Sequence, residues 1–270
     1  MSDPVSSNQL NKYPRTRHIE GSRLQPGDED LDSVPFSKIA GRHLVVEEKV
    51  DGANCGISFG SDGELLLQSR GHYLTGGHRE KHFTLFKQWA TTHASSLWRC
   101  LRHRYVLYGE WLYAKHTVYY DRLPHYFMEF DILDTVDTVF LNTNRRQKLL
   151  QDVAVVPVRI LHAGPLTTRR QLTDLVGPSA FMTSSHLTTL RSKSQELGLD
   201  TDRTLRETDQ SDLMEGLYIK VEEDGIVSER YKYVRADFLT AVFQAEGHWL
   251  NRQIIPNQLD QSVDLFEAGS

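Results

Sequence analysis

A chain of 270 residues, 39% hydrophobic and 25% charged, has the make-up of an ordinary globular protein and enough length for a sizeable core. Its formal net charge of −5 excludes a generally basic nucleic-acid binder, so any such contact would need a local basic patch. The two cysteines, Cys55 and Cys100, form no Cys-x-x-Cys pair, which argues against a disulfide framework or a cysteine zinc site; no apolar run reaches membrane-span length, and a reducing, cytoplasmic setting is expected.

Residues 1–42 read as a polar N-terminal arm. Within it, Lys12-Tyr13-Pro14-Arg15-Thr16-Arg17-His18 is a compact basic cluster with one aromatic, suited equally to a solvated arm or to a phosphate contact. The pattern then predicts three short strands over residues 43–50, 53–59 and 64–70, with Ser61-Asp62-Gly63 as a hairpin turn. The first ends in Glu48-Lys49-Val50-Asp51-Gly52, where a turn holds one lysine at a strand end. Lys-x-Asp-Gly also makes an ordinary hairpin turn. A lysine so held can nonetheless act as a nucleophile once its surroundings remove its proton. Arg70, beside Gly71, suits either a sheet edge or a phosphate or sugar contact.

Residues 79–102 carry a helical period. His78 and His82 lie one turn apart there, but the order does not match a His-Glu-x-x-His metal site, and both are expected at the surface. Strands follow over 105–112, with Glu110, and over 125–134, with Phe130. Carboxylates in such strands are costly to bury unpaired, so Glu110, Glu129 and Asp131 face solvent or serve a polar site. Residues 142–210 read as a helical region, with helices at 143–152, 168–176 and 179–197, a strand at 155–162, and Thr143 and Thr167 as N-caps. Nothing in that region announces chemistry. Residues 214–222 and 226–235 then form a hairpin that displays Glu215, Lys220, Arg230 and Lys232. A short closing helix over 236–244 ends the 43–245 body, and 246–270 reads as a polar tail.

Five signatures therefore stand in one order: Lys49-Val-Asp51-Gly52, Ser69-Arg70-Gly71, the strand around Phe127 to Ile132, Glu215-Gly216 through Lys220, and Tyr231-Lys232-Tyr233. This order resembles the covalent nucleotidyltransferase superfamily, above all ATP-dependent RNA ligases similar to the phage enzyme that seals nicked duplex RNA. The resemblance implies an α+β fold, the nucleotidyltransferase (ATP-grasp-like ligase) fold of antiparallel sheets flanked by helices. About 35 residues follow Arg235, too few for a C-terminal OB domain of common size.

The resemblance also implies roles. Lys49 would carry AMP, and the backbone near Glu48 would read the adenine edge. Arg70 and Glu110 would hold the ribose, and Phe130 would stack on the base. Glu215 would organise Mg²⁺ or Mn²⁺, largely through water, while Lys220 and Lys232 would grip the α-phosphate. Asp51 and Asn54 would act on the nicked end. Chemically, Lys220, Lys232 and a metal ion are expected to favour the neutral lysine that attack requires. The implied substrate is RNA with 5′-phosphate and 3′-hydroxyl ends, and an end-healing kinase or phosphatase is an implied partner. Asp51 is commoner in DNA ligases than in phage-type RNA ligases, and Arg230 stands where those can carry lysine. A DNA ligase, a GTP-using capping guanylyltransferase and a non-catalytic nucleotide- or RNA-binding module are the competing readings.

Overall fold

The structure is a computed structural model that describes residues 10–24, 28, 31–238 and 253–267. After β1 (Arg17–Ile19) and β2 (Ser33–Val34) come β3 (His43–Lys49), β4 (Ala53–Phe59) and β5 (Leu65–Ser69). Helices α1 (Thr84–Thr92) and α2 (Ala94–Leu101) precede β6 (Tyr105–Trp111), β7 (Phe127–Asp134) and β8 (Val139–Leu141). Then follow α3 (Thr143–Leu150), β9 (Val156–Pro157), β10 (Ile160–Pro165), α4 (Arg169–Thr173), α5 (His186–Glu196) and α6 (Thr201–Arg206). The hairpin of β11 (Gly216–Glu223) and β12 (Ile226–Val234) closes the series. The strands form one sheet whose main path runs β10-β3-β11-β12-β8-β7-β6-β4-β5, antiparallel throughout. This is the α+β architecture that the sequence predicts.

Three apolar clusters show how the sheet is covered. Phe86, Trp89 and Leu97 of α1 and α2 pack on Ile57, Leu107 and Phe127. Leu44, Val46, Leu217 and Ile219 pack instead under Ile19, Phe36 and Leu172. Between the two halves lie Val106, Tyr108, Met128 and Phe130 from one side and Val234 and Tyr218 from the other. The second and third clusters share the strand faces of β11 and β12, which explains their period-two alternation.

The long helix expected over 79–102 is divided into a 3-10 turn (His78–Phe83), α1 and α2. Thr91, Thr92 and His93 are three poor helix formers in succession, and the break lets Trp89 and Leu97 both face the sheet. His82 is buried, not at the surface: its 3-10 turn lies on β6, where Trp111 Nε1 donates to the His82 carbonyl at 2.9 Å. Caps shift by one residue. Asn142, not Thr143, caps α3 by accepting from the Arg145 N–H, and Thr168, not Thr167, caps α4 in a capping box with Gln171. The helix expected from 179 starts only at His186, because Ser179 and Thr183 use their side chains for distant hydrogen bonds to Glu48 and Asp121. The strand expected over 155–162 is two short strands, β9 and β10, on different sheet neighbours. Residues 236–238 form a turn, and the rest of the expected closing helix lies outside the described residues. Residues 253–267 are not a loose tail: Ala114 bridges to Pro256 and Leu123 to Leu259.

Candidate active site

A cleft of about 1300 Å³ opens between the two halves of the sheet, with Lys49 on its wall. Lys49 is the last residue of β3, and Gly216 of β11 lies directly opposite it. A Cβ at Gly216 would fall 1.8 Å from the Tyr233 carbonyl oxygen, so only glycine lets β11 run this close to β12. Gly52 meets the same restriction, since its Cβ would lie 2.7 Å from both the Leu112 side chain and the Trp111 carbonyl. The lysine turn is thereby pressed against the end of β6.

The lysine Nζ donates to Glu215 Oε2 at 2.6 Å, and that carboxylate is 1% exposed. Burial on its own would lower the Lys49 ammonium's pKa. Glu215, joined by Glu110 and Asp51, outweighs burial and holds it above its usual range. This reverses the expected electrostatics. Lys49 is surrounded by acids, not by cations that would neutralise it. Glu110 shows the other side of the balance: burial, reinforced by Asp51 and Glu215 against the pull of Lys49, pushes its carboxyl up to about 8.

Lys220 is the clearest departure from expectation. It does not line the cleft; it is 1% exposed beneath it. Its Nζ donates to Glu47 at 2.9 Å and to the Phe130 carbonyl, and lies 3.3 Å from Asp131. The register explains this. Lys220 pairs with Val45, four residues back from Lys49, or about 13 Å along a strand at ~3.3 Å per residue. Lys232 pairs with Tyr218, itself opposite Glu47, and so stands one row nearer. It does line the cleft, bonded to Asp28 of the arm, which also meets His18 Nε2 at 3.1 Å. Burial lowers the Lys232 ammonium, against Asp28 and with help from Lys49.

Asp51 Oδ2 accepts the backbone N–H groups of Thr117 at 2.7 Å and Val118 at 2.9 Å, while its own N–H donates to the Tyr120 hydroxyl at 2.9 Å. Its carboxylate therefore ties the lysine turn to the loop between β6 and β7. Phe130 is 9% exposed and reaches the cleft as the extra residue of a bulge, where Tyr108 pairs with Asp131 but Gly109 with Glu129. Asn54 lines the cleft opposite Glu110, and exposed Arg70 lies at the rim. The Glu48 N–H is taken by the Arg159 carbonyl at 2.9 Å, and its carboxyl, raised by burial, accepts from Ser179.

Several contributors were not anticipated. Glu47, Glu129 and Asp131 form a buried network with Lys220, Arg146 and Arg230, in which Arg146 donates to Glu47 at 2.8 Å and approaches Glu129 at 3.4 Å. Tyr13, from the basic cluster of the arm, donates to Asp131 and sets its ring edge-on to Phe130 at 5.2 Å. His116 lines the cleft with Nδ1 3.9 Å from Asp51. Tyr13 carried a signal as the one aromatic among the cations of the arm, and Glu129 and Asp131 as carboxylates within hydrophobic strands; Glu47, Arg146 and His116 carried none.

Among the described residues, no three His, Cys, Asp or Glu side chains converge to hold a metal ion by themselves. The acids around Lys49 instead suit a hard cation that keeps most of its waters and takes one or two carboxylates with a phosphate. No helix among the described residues is long and apolar enough to cross a membrane.

Comparison with known proteins gives a consistent result. The family model for RNA ligase matches residues 42–234. A search of curated proteins found no match. Among solved structures, a variant of the Naegleria gruberi RNA ligase with ATP and Mn is similar, with TM-score 0.50 and 17% identity over 88% of this chain and 59% of its own. The same ligase with PPi gives 0.49 and 18% over 91% and 64%, and an archaeal ATP-dependent RNA ligase gives 0.48 and 19% over 83% and 48%. The chain thus spans roughly half to two-thirds of the length of these ligases, and the likeness at 17% identity and TM-score 0.50 shows the fold alone.

Proposed function

The chain belongs to the RNA ligase family, and on that premise we propose that it is an ATP-dependent RNA ligase that carries AMP on Lys49. The observation that supports this most directly is the meeting, in one cleft, of the Lys49 amine with Glu215, 166 residues away in sequence, beside Glu110, Phe130, Arg70 and Lys232. The solved relatives hold ATP, AMP and Mn, which fits the same cofactors here.

In this reading, Phe130 receives the adenine face, and Glu110 and Arg70 lie toward the ribose. The neutral Lys49 amine attacks the α-phosphorus of ATP; an N–P bond forms, the bond to pyrophosphate breaks, and pyrophosphate leaves. AMP then passes to a 5′-phosphate of RNA, and the 3′-hydroxyl of the other end displaces AMP as the new phosphodiester forms. Lys232 holds negative charge on the α-phosphate, whereas Lys220 supports it from below by fixing Glu47 and the Phe130 carbonyl. Mg²⁺ or Mn²⁺ near Glu215 and Glu110 would supply positive charge that offsets both the phosphates and the acids holding the Lys49 ammonium. Glu215 keeps the resting lysine protonated and oriented until that charge balance changes.

The test is covalent labelling. Label from α-labelled ATP should stay on the protein and label from γ-labelled ATP should not. Lys49→Ala should lose the adduct by a factor of a thousand or more; equal labelling of Lys49→Ala would reject the reading. GTP in place of ATP, followed by a panel of nicked RNA, nicked DNA and single strands, separates an RNA ligase in RNA repair from a DNA ligase or a guanylyltransferase.

A further inference from the structure

We infer that Asn257, in the segment that follows the adenylation body, is a positioning residue that fixes the geometry of the Lys49 turn through the 112–126 loop. The inference rests on the ligase reading above for its catalytic consequence, and on hydrogen-bond geometry for its structural one.

Asn257 is 1% exposed, and each of its polar groups is directed to that loop. Its Nδ2 donates to the Leu112 carbonyl at 2.7 Å, and its Oδ1 accepts the Tyr120 N–H at 3.0 Å. Its backbone N–H donates to the Tyr113 carbonyl at 2.8 Å, and its carbonyl accepts the Tyr126 hydroxyl at 2.8 Å. The side-chain amide has only one workable orientation, since reversing it would set donor against donor and acceptor against acceptor. Neighbouring residues extend the grip: Lys115 N–H donates to the Ile255 carbonyl at 2.8 Å, and Gln258 N–H to the Tyr120 carbonyl at 2.9 Å.

The same loop is held from its other side by the lysine turn. Tyr120, whose backbone Asn257 and Gln258 fix, turns its hydroxyl inward to accept the Asp51 N–H at 2.9 Å. Three residues earlier, Thr117 N–H donates to the Asp51 carboxylate at 2.7 Å. Asp51 is two residues from Lys49. The loop is thus a spacer with Asn257 on one side and the nucleophile's turn on the other. Tyr120 meets both, Asn257 through its backbone N–H and Asp51 through its hydroxyl. Two of Asn257's four hydrogen bonds belong to the side chain; an apolar residue of similar size would keep the backbone pair but leave the Leu112 carbonyl and the Tyr120 N–H without their partner. In-line attack at phosphorus is sensitive to displacement of the amine, and a shift of about 1 Å can cost a hundredfold in rate.

The experiment uses the full chain and reads two quantities: the rate of protein adenylation at varied ATP, and deuterium exchange in peptides covering 112–120. Asn257→Ala should lower the maximal adenylation rate tenfold or more while changing the KM for ATP less than threefold. Exchange at Thr117 and Val118 should quicken at least tenfold, with β4 and β5 unchanged. Tyr120→Phe removes the hydroxyl that meets Asp51 and should slow adenylation alone; adding Asn257→Ala to it should cost less than threefold further, because both act along one chain of contacts. Should Asn257→Ala yield no folded protein, Asn257→Ser keeps one hydroxyl that can serve Leu112 or Tyr120 but not both, and should slow adenylation at least threefold. An adenylation rate within twofold of the parent for either folded variant, or multiplicative losses in the double variant, would overturn the inference. If the parent itself takes no label, the ligase reading fails separately. Exchange then decides the positioning role, and unchanged exchange rejects it.

Discussion

Glu47 and Lys49 lie two residues apart on one face of β3, yet they belong to two clusters of charge with opposite logic. Around Glu47, three acids (Glu47, Glu129, Asp131) meet three bases (Lys220, Arg146, Arg230), all of them out of water's reach except the partly exposed Arg230. Around Lys49, the acids Glu215, Glu110 and Asp51 outnumber the one ammonium they surround, and the cluster opens to the cleft. Buried charges must be matched because each unmatched one costs several kcal/mol, roughly, in lost hydration. An open cluster can stay unbalanced because solvent or an arriving ligand completes it. The difference separates the two lysines: Lys220 is held within the protein by matched partners, and Lys49 stands in the cluster that opens to the cleft.

The largest effect should come from breaking the balanced cluster. Arg146→Met would leave Glu47 and Glu129 facing one another with fewer cations. Burial already works against the Arg146 charge, and Glu129 with Glu47 outweighs it, so the guanidinium is held firmly protonated. Its loss should cost about 3–5 kcal/mol of folding stability, the usual scale for removing one member of a buried pair. Urea unfolding measures it. A loss under about 1 kcal/mol would mean that the cluster is not tightly matched, and the contrast with the Lys49 site would fail.

The sequence made the open cluster far more legible than the closed one. Lys49, Glu215, Arg70 and Lys232 stand in short motifs, and the strand alternation around them follows from one face being apolar. The partners of the closed cluster are separated by up to 173 residues, as Glu47 is from Lys220, and no local pattern announces such pairs. Lys220 was expected in the cleft because period-two alternation gives its face but not its depth along the strand. The sign of the Lys49 environment was misjudged for a related reason. Motif order names the cations, whereas the acids that approach them, Glu110 above all, come from strands whose registry is fixed only in three dimensions. Asn257 carried no signal. Its importance lies in backbone groups of another segment, which sequence patterns do not display.

A second experiment sharpens the open half of the comparison. Glu215 is the acid that most raises the Lys49 ammonium against burial. Glu215→Gln removes that charge and keeps the shape, so the lysine should release its proton at lower pH. The midpoint of Lys49 modification by an amine-specific reagent, followed by peptide mass analysis across pH, should therefore move downward. No movement, or an upward one, would show that Glu215 is not the group that holds the resting ammonium. If ligation is then slowed despite the freer amine, Glu215 contributes to nucleotide handling beyond its pairing with Lys49.

A third experiment tests the excess of acid itself. The Glu110 carboxyl sits near 8 in the folded chain against an ordinary 4.5, so the folded protein binds this proton more tightly than the unfolded chain does. Its contribution to stability is complete below about 4.5, declines as pH rises toward 8, and is gone above that range. Glu110→Gln cannot ionise and loses this decline. Relative to the parent, the variant should therefore gain in unfolding midpoint between pH 4 and pH 9, read by thermal melts in matched ionic strength. Mg²⁺ favours the ionised carboxylate and should move the parent's decline to lower pH while leaving Glu110→Gln unmoved. Parallel melting curves for parent and variant would mean that the acids around Lys49 are already balanced, and that the open cluster differs from the buried one in exposure but not in charge.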